Sequence, residues 1–439
     1  MRGYHARVGC SVVLDVGKTS AKLCAVDATG RVLVELRRPS AALAGPPYPH
    51  LDTEGVFDWA IEGLARIAAD HEVDVIVPVA HGAAAALLAG ATLALPVLDY
   101  EFEGVTELDA AYEPLARDFA HTRSPRLPAG LNLGRQLYWL ERRFPAEFAR
   151  VTDILLWPQY WAWRLSGAKC CEVSSLGCHT DLWQPEARMF SSLARERGWS
   201  ARFPSLVPAW QRAGVIRPEL AHATGLRADC AVLAGIHDSN ASYLVHRAGR
   251  EDAFVVVSTG TWFICMAHGA PLENLRPELD MLANIDVHGD PVACARFMGG
   301  REYETIAGSD GVAANPSADD LERVLDASEP KSRAALAALQ LALVTDRSLD
   351  RLGARGDVIV EGPFARNTAY CAALAGLRAP QAVRASGDAI GTVSGARLLA
   401  SWPGVPPASA LELCDGGLAP KLDAYRRRWR ATISTWENE

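Results

Sequence analysis

The sequence predicts an α/β chain folded as two lobes, and three observations carry that prediction. Runs of apolar and β-branched residues alternate with segments of helical spacing in both halves of the chain. Each half contains a strand, a tight turn of glycine and hydroxyl residues, and a second strand. The turns are Asp15-Val16-Gly17-Lys18-Thr19-Ser20-Ala21-Lys22 in the first half and Ser258-Thr259-Gly260-Thr261 in the second. The chain is also 439 residues long, more than a single hydrophobic core organises.

Taken in order, residues 8–14, 21–26 and 31–36 read as three consecutive strands, separated by the first glycine turn and by Asp27-Ala28-Thr29-Gly30, a hairpin turn. Residues 54–69 carry Val56, Trp59, Ile61, Leu64, Ile67 and Ala68 at helical spacing. Residues 75–98 hold no formal charge, but Pro78, His81 and Pro96 interrupt them, so they make a poor membrane span. They read instead as a strand over 75–79, a loop at His81-Gly82, an alanine-rich helix and a second strand. Helices are expected over 135–143, 145–150 and 159–165, the last stopped by Gly167. The strand pattern restarts after Leu233, with a turn containing Asp238. A strand over 358–360, a turn at Gly362-Pro363 and helices over 367–374 and 388–400 complete the chain, with a polar loop over 310–320.

Composition excludes several functions. Apolar residues make up 49% and charged residues 22%, as in an ordinary soluble globular protein. A net charge of −8 argues against a duplex nucleic-acid binder, which needs a basic face. The cluster Arg426-Arg427-Arg428 with Arg430 reads as the solvated side of a terminal helix. The ten cysteines lack zinc-like spacing and read as reduced core residues. Asp15 and Lys18 come too early for a signal peptide. The expectation is a cytoplasmic protein with no nucleic-acid or membrane partner; a homodimer is compatible with it.

Glycine-hydroxyl turns bring backbone N–H groups and short hydroxyls close to an anion. Two of them suggest a duplicated phosphate-handling architecture. Asp238, just after an apolar strand, has two local readings: a general base, or an aspartate capping a helix that starts at Ser239. A dinucleotide-binding dehydrogenase is disfavoured, because the first turn has only Gly17 where that fold needs three glycines.

With these segments placed, the chain resembles the FGGY family of carbohydrate kinases, within the actin-like ATPase superfamily. The likeness runs through Asp15–Lys22, His81-Gly82, Leu133-Gly134-Arg135-Gln136-Leu137-Tyr138-Trp139-Leu140-Glu141, residues 156–177, Gly235-Ile236-His237-Asp238, Ser258–Trp262, Glu361–Asn367 and Asp388-Ala389-Ile390-Gly391. Its layout is most similar to the branch containing rhamnulose kinases. The resemblance implies two actin-like (ribonuclease H-like) lobes, each a mixed sheet flanked by helices, with an interlobe cleft. Residues 1–234 would form the sugar-binding domain and residues 235–439 the nucleotide-binding domain.

It also implies a reaction, transfer of the ATP γ-phosphoryl group to a hydroxyl of a small ketose, of the 6-deoxyhexulose or pentulose type. Asp238 matches the family's catalytic base, and Asp15 its carboxylate that helps hold Mg²⁺, with Asp238 also near the metal. Gly17, Lys18, Thr19, Ser20 and Lys22, with Thr259, Gly260 and Thr261, would hold phosphates; Gly362, Asn367 and Gly391 would meet adenosine, with Phe364 either near the base or in the core. His81, Gly82, Asp99, Glu101 and His237 would line the sugar. Glu172 and Ser174-Ser175 read as structural. Lobe closure would exclude water. Glu361, Pro363, Gln136 and residues 297–302 depart from the family pattern. The readings left open beside this one are a kinase for a polyol or tetrulose, and a sugar- or nucleotide-sensing protein that has lost catalysis.

Overall fold

The computed structural model describes residues 9–116, 118–308, 315–326, 332–387, 391–403 and 411–436. Two compact units result. The first comprises Met1–Gly249, Ala283–Pro291 and Ile390–Pro407; the second comprises Arg250–Leu282, Val292–Ala389 and Ala408–Glu439.

The first unit is built on a sheet that begins with β1 (Gly9–Val16), β2 (Ser20–Asp27) and β3 (Val32–Pro39), continues through helix α1 (Thr53–Asp70), and places β4 (Glu72–Ala80) beside β1. β1 is antiparallel to β2 and parallel to β4. On its far side β4 takes two short parallel neighbours, Ala231–Leu233 and β5 (Ile236–His237). The interior strands read as near-continuous apolar runs because both faces are covered. α1 starts where Asp52 accepts the Gly55 N–H (2.9 Å), and it buries Val56, Ala60, Leu64, Ile67 and Ala68 along one stripe.

β5 is followed by helix α2 (Asp238–Arg247), which packs against the helix Gly391–Ala400; Ser242 Oγ and Thr392 Oγ1 are 2.9 Å apart. Both helices belong to the first unit. The expected division at residues 234/235 falls before β5 and α2, yet those elements are tied into the first sheet by pairing of Ile236 and His237 with Val79 and Ala80. Gly235 makes that pairing geometrically accessible. Its φ is +85°, and a Cβ there would lie 2.4 Å from the Pro78 carbonyl oxygen.

The second unit repeats the hairpin logic. β6 (Phe254–Ser258) is antiparallel to Phe263–His268 and parallel to β7 (Asp357–Glu361), within a seven-stranded mixed sheet. The helix Arg333–Leu352 and helix α3 (Thr368–Arg378) belong to this unit.

Three expectations need correction. Residues 85–89 form a strand, Ala85–Ala89, not an alanine-rich helix. The segment pairs antiparallel with Asp153–Leu156, and that long-range ladder overrides alanine's helix propensity. The arginine cluster is only half solvated: Arg426 and Arg430, on the terminal helix Ala419–Trp436, pair with the buried Asp346, while Arg427 and Arg428 are exposed. Gly391, assigned from the sequence to the nucleotide-binding domain, opens a helix of the first unit. Of the polar loop expected over 310–320, residues 310–314 lie outside the described residues and residues 318–320 begin the helix Ala318–Asp326; the helix start at 388–390 lies outside them. All ten cysteines are free thiols, nine of them buried. Among the described residues no helix is long and apolar enough to cross a membrane.

Candidate active site

β1, β4 and β5 run parallel, so their carboxyl ends share one edge of the sheet, the place where α/β sheets bind ligands. Asp15 sits near the end of β1, His81-Gly82 follows β4, and His237-Asp238 closes β5. Five residues chosen from the sequence thus meet because three strands stop in register: Asp15 pairs with Val79, and His237 with Ala80.

Asp15 is buried, and burial pushes its carboxyl up to about 6. Lys22, directly across the hairpin and 3.6 Å away, opposes that rise, and the Asp238 carboxylate adds to it. Asp15 and Asp238 bring two carboxylates to one edge of the sheet, oxygen donors of the kind Mg²⁺ takes, a cation that keeps its waters and needs few protein ligands. The turn itself closes by Gly17 N–H donating to the Ser20 carbonyl (3.1 Å), with Thr19 exposed.

Asp238 is the first residue of α2, so its carboxylate lies at a helix N-terminus, where the backbone favours negative charge. The Ser239 N–H (2.6 Å) and hydroxyl (3.3 Å) both donate to Oδ1, and His237 Nε2 lies 3.2 Å from the same oxygen. The helix starts at Asp238 itself with His237 as its N-cap, so Asp238 is not the capping residue, and its two Ser239 donors occupy one oxygen. His237 is fully enclosed, and burial holds its pKa below the ordinary imidazole value.

Glu172 is fully buried, and its carboxylate accepts from the Ser174 N–H (2.9 Å), the Ser174 hydroxyl (2.6 Å) and the Ser175 N–H (3.4 Å). Its reading as a structural residue agrees with this. Burial nevertheless lifts its pKa from 4.5 to about 7 against those donors. The folded chain then holds this proton more tightly than the unfolded chain. Its contribution to stability is full below about pH 4.5 and is lost as the pH rises through about 7. Glu172→Gln cannot titrate there, so the decline in denaturation midpoint between about pH 5 and pH 8 should flatten. An unchanged slope would place the titration elsewhere.

Lys18, expected at phosphate, points instead to the loop at Asp99–Glu101. Its ammonium bonds to Asp99, lies 3.2 Å from Glu101 Oε2, and sits 4.9 Å from the centre of the Tyr100 ring. Tyr100 in turn meets His81 edge-on at 5.5 Å. His81 donates from Nδ1 to the Gly82 carbonyl (2.7 Å) in the neutral form that burial favours, which leaves Nε2 as an acceptor. Gln136, a departure from the family pattern, donates to the carbonyls of Ala83 (2.6 Å) and Gly130 (2.5 Å) and so braces this loop.

Of the residues expected at the nucleotide, Gly391 and the residues of the first glycine turn belong to the first unit, whereas Thr259, Gly260, Thr261, Gly362 and Asn367 belong to the second. There Thr259 is buried and committed: its hydroxyl donates to the Glu361 carbonyl (2.5 Å) and accepts the Phe364 N–H (3.1 Å). Gly260 and Thr261 continue that turn, and the Thr261 carbonyl accepts from Gly300 N–H (3.2 Å). Gly362 is exposed. Asn367 caps α3, its side-chain oxygen accepting the Tyr370 N–H (3.0 Å). Phe364 is half-buried and meets Phe263 (4.9 Å), Tyr303 (5.0 Å) and Tyr370 (5.6 Å) edge-on.

Comparisons with known proteins agree with this layout. The family described as "FGGY family of carbohydrate kinases, N-terminal domain" matches residues 125–245, and "Carbohydrate kinase FGGY, C-terminal domain" matches residues 251–328 and 320–407. A solved carbohydrate kinase from Novosphingobium aromaticivorans is 39% identical, with a TM-score of 0.89 over 98% of this chain and 99% of that one. The chain is also similar to a xylulose kinase from Haemophilus influenzae (30% identity over 34% of this chain) and to an L-xylulose/3-keto-L-gulonate kinase from Escherichia coli (30% over 29%). The match spans 30% and 26% of those two relatives' own lengths.

Proposed function

This chain belongs to the FGGY family of carbohydrate kinases, and on that premise we propose that it transfers the γ-phosphoryl group of Mg·ATP to a hydroxyl of a small neutral ketose. The observation that carries the reading is the asymmetry of the Asp238 carboxylate. Every donor around it gathers on Oδ1, and among the described residues Oδ2 has no partner. A sugar hydroxyl is a weak nucleophile and needs a carboxylate to accept its proton as the new bond forms. As the substrate oxygen bonds to the γ-phosphorus and the bond from that phosphorus to the bridging oxygen breaks, the hydroxyl proton passes to Oδ2 and ADP leaves. Asp15 and Asp238 would hold Mg²⁺, which when bound supplies charge neutralisation at the phosphates. The first glycine turn would meet phosphate through short hydroxyls and N–H groups, with Lys22 adding charge beside Asp15.

The substrate class follows from charge. Lys18 is shared by Asp99 and Glu101, so it offers no net positive charge to a sugar acid. Neutral hydroxyls suit Asp99, His81 and the exposed Glu101 as partners, and a sugar without a hydroxyl opposite His81 leaves that buried acceptor unpaired. This favours a pentulose or 6-deoxyhexulose over the keto acid named for one relative. The test is ADP release with Mg·ATP against ketopentoses, ketohexoses, their 6-deoxy forms, tetruloses, polyols and a keto-sugar acid. A neutral ketose should give saturable turnover and the acid none. Nucleotide binding without sugar-stimulated turnover would replace the kinase reading with a sensing one.

A further inference from the structure

Behind His237 lies a buried chain of polar groups that the phosphoryl-transfer chemistry does not use directly. Glu172 fixes Ser174 through that residue's N–H and hydroxyl. The Ser174 hydroxyl oxygen accepts the His237 backbone N–H (3.3 Å), and the Ser174 carbonyl lies 3.5 Å from Asn240 Nδ2. The same Nδ2 lies 3.3 Å from His237 Nδ1, and Asn240 is 1% exposed. A peptide carbonyl can only accept, so the Asn240 amide turns its NH₂ group toward Ser174 and His237. His237 Nδ1 therefore accepts, and the ring proton of the neutral imidazole resides on Nε2.

That nitrogen is the one beside Asp238 Oδ1 (3.2 Å), with Cys178 Sγ at 3.8 Å. Gly82 closes the other side: a Cβ there would lie 2.9 Å from Nε2, so any larger residue would push the ring away.

We propose that Asn240 is a positioning residue for the base: it fixes His237 as the Nε2–H tautomer, so that an N–H faces Asp238 Oδ1 and Oδ2 is left to take the substrate proton. The proposal rests on the reading of Asp238 as the base. Glu172 and Ser174 act one step further back, holding the carbonyl that orients the amide. None of the three touches the reacting atoms; each acts through His237.

The test begins with the unaltered full-length protein, labelled with ¹⁵N in histidine. Long-range proton–nitrogen correlation spectra, with the His237 signals assigned by their loss in His237→Gln, should show a protonated Nε2 and a bare Nδ1. A proton on Nδ1 overturns the proposal. The second arm is Asn240→Asp, whose carboxylate accepts where the amide donates and so draws the ring proton to Nδ1. Its kcat should fall about 10- to 100-fold, the scale for losing an orienting partner, with KM for ATP held within about twofold. Unchanged kcat, or an equal loss through KM alone, contradicts it. Asp238→Asn in the same assay separates the two readings. An active Asp238→Asn enzyme removes the base itself, whereas an inactive one with a proton on His237 Nδ1 removes only the positioning role.

Discussion

Replacing Asp238 with asparagine should lower kcat by about a hundredfold or more, the usual scale for removing a general base. The substitution is nearly isosteric, and its consequence can be followed atom by atom. The Ser239 N–H and hydroxyl require an acceptor at the Oδ1 position, so the new amide turns its carbonyl oxygen there. The NH₂ group then occupies the place of Oδ2, which can donate but no longer accept a proton. The fold should change little, since the loss of a carboxylate at the first turn of α2 costs about 0.3–1 kcal/mol. Binding of nucleotide to Asp238→Asn, followed by direct titration, should remain measurable. A variant that keeps near-normal turnover would show that the proton goes elsewhere.

The second large effect is on stability. Asp346 lies on the helix Arg333–Leu352 and is fully buried, with Arg426 Nε at 2.8 Å, Arg430 Nη2 at 2.9 Å and Arg378 Nη1 at 3.2 Å. Asp350, more exposed, shares the same three arginines. Asp346→Ala leaves Arg378, itself 9% exposed, without its deepest counter-ion. Asp350 still pairs with Arg378 at 2.6 Å, so the cost falls below that of a fully uncompensated buried ion and should be about 1–3 kcal/mol, the scale for leaving a buried donor short of its partner. The midpoint of chemical denaturation should fall accordingly, while a change at the exposed Arg427 should leave it within about 0.5 kcal/mol. Equal midpoints for Asp346→Ala and the unaltered protein would mean that solvent reaches this cluster.

Much of the fold was legible because its signals are local. The hairpins of β1–β3 and β6 follow from alternating apolar runs and glycine turns, and α1 follows from one apolar stripe over 54–69. Asp15 and Asp238 stood out because each follows an apolar strand at a turn. What was not legible depends on partners distant in sequence. Ala85–Ala89 is a strand only because Asp153–Leu156 pairs with it. Arg426 and Arg430 look solvated until Asp346 is placed among them. Thr259 reads as a phosphate ligand, and only the Glu361 carbonyl shows that its hydroxyl is already spent. Lys18 reads the same way until Asp99 and Glu101 claim it. Asn240 carried no signal of its own: a polar residue in the first turn of a helix is ordinary, and only the positions of Ser174 and His237 give it a task.

The measurement that tests the account most directly is transfer of a radiolabelled γ-phosphoryl group from Mg·ATP to a neutral pentulose, followed by separation of the sugar phosphate. The unaltered protein should move the label onto the sugar with saturation in both substrates, and Asp238→Asn should not do so at a comparable rate. Label that appears only in free phosphate, or equal transfer by both proteins, would contradict it.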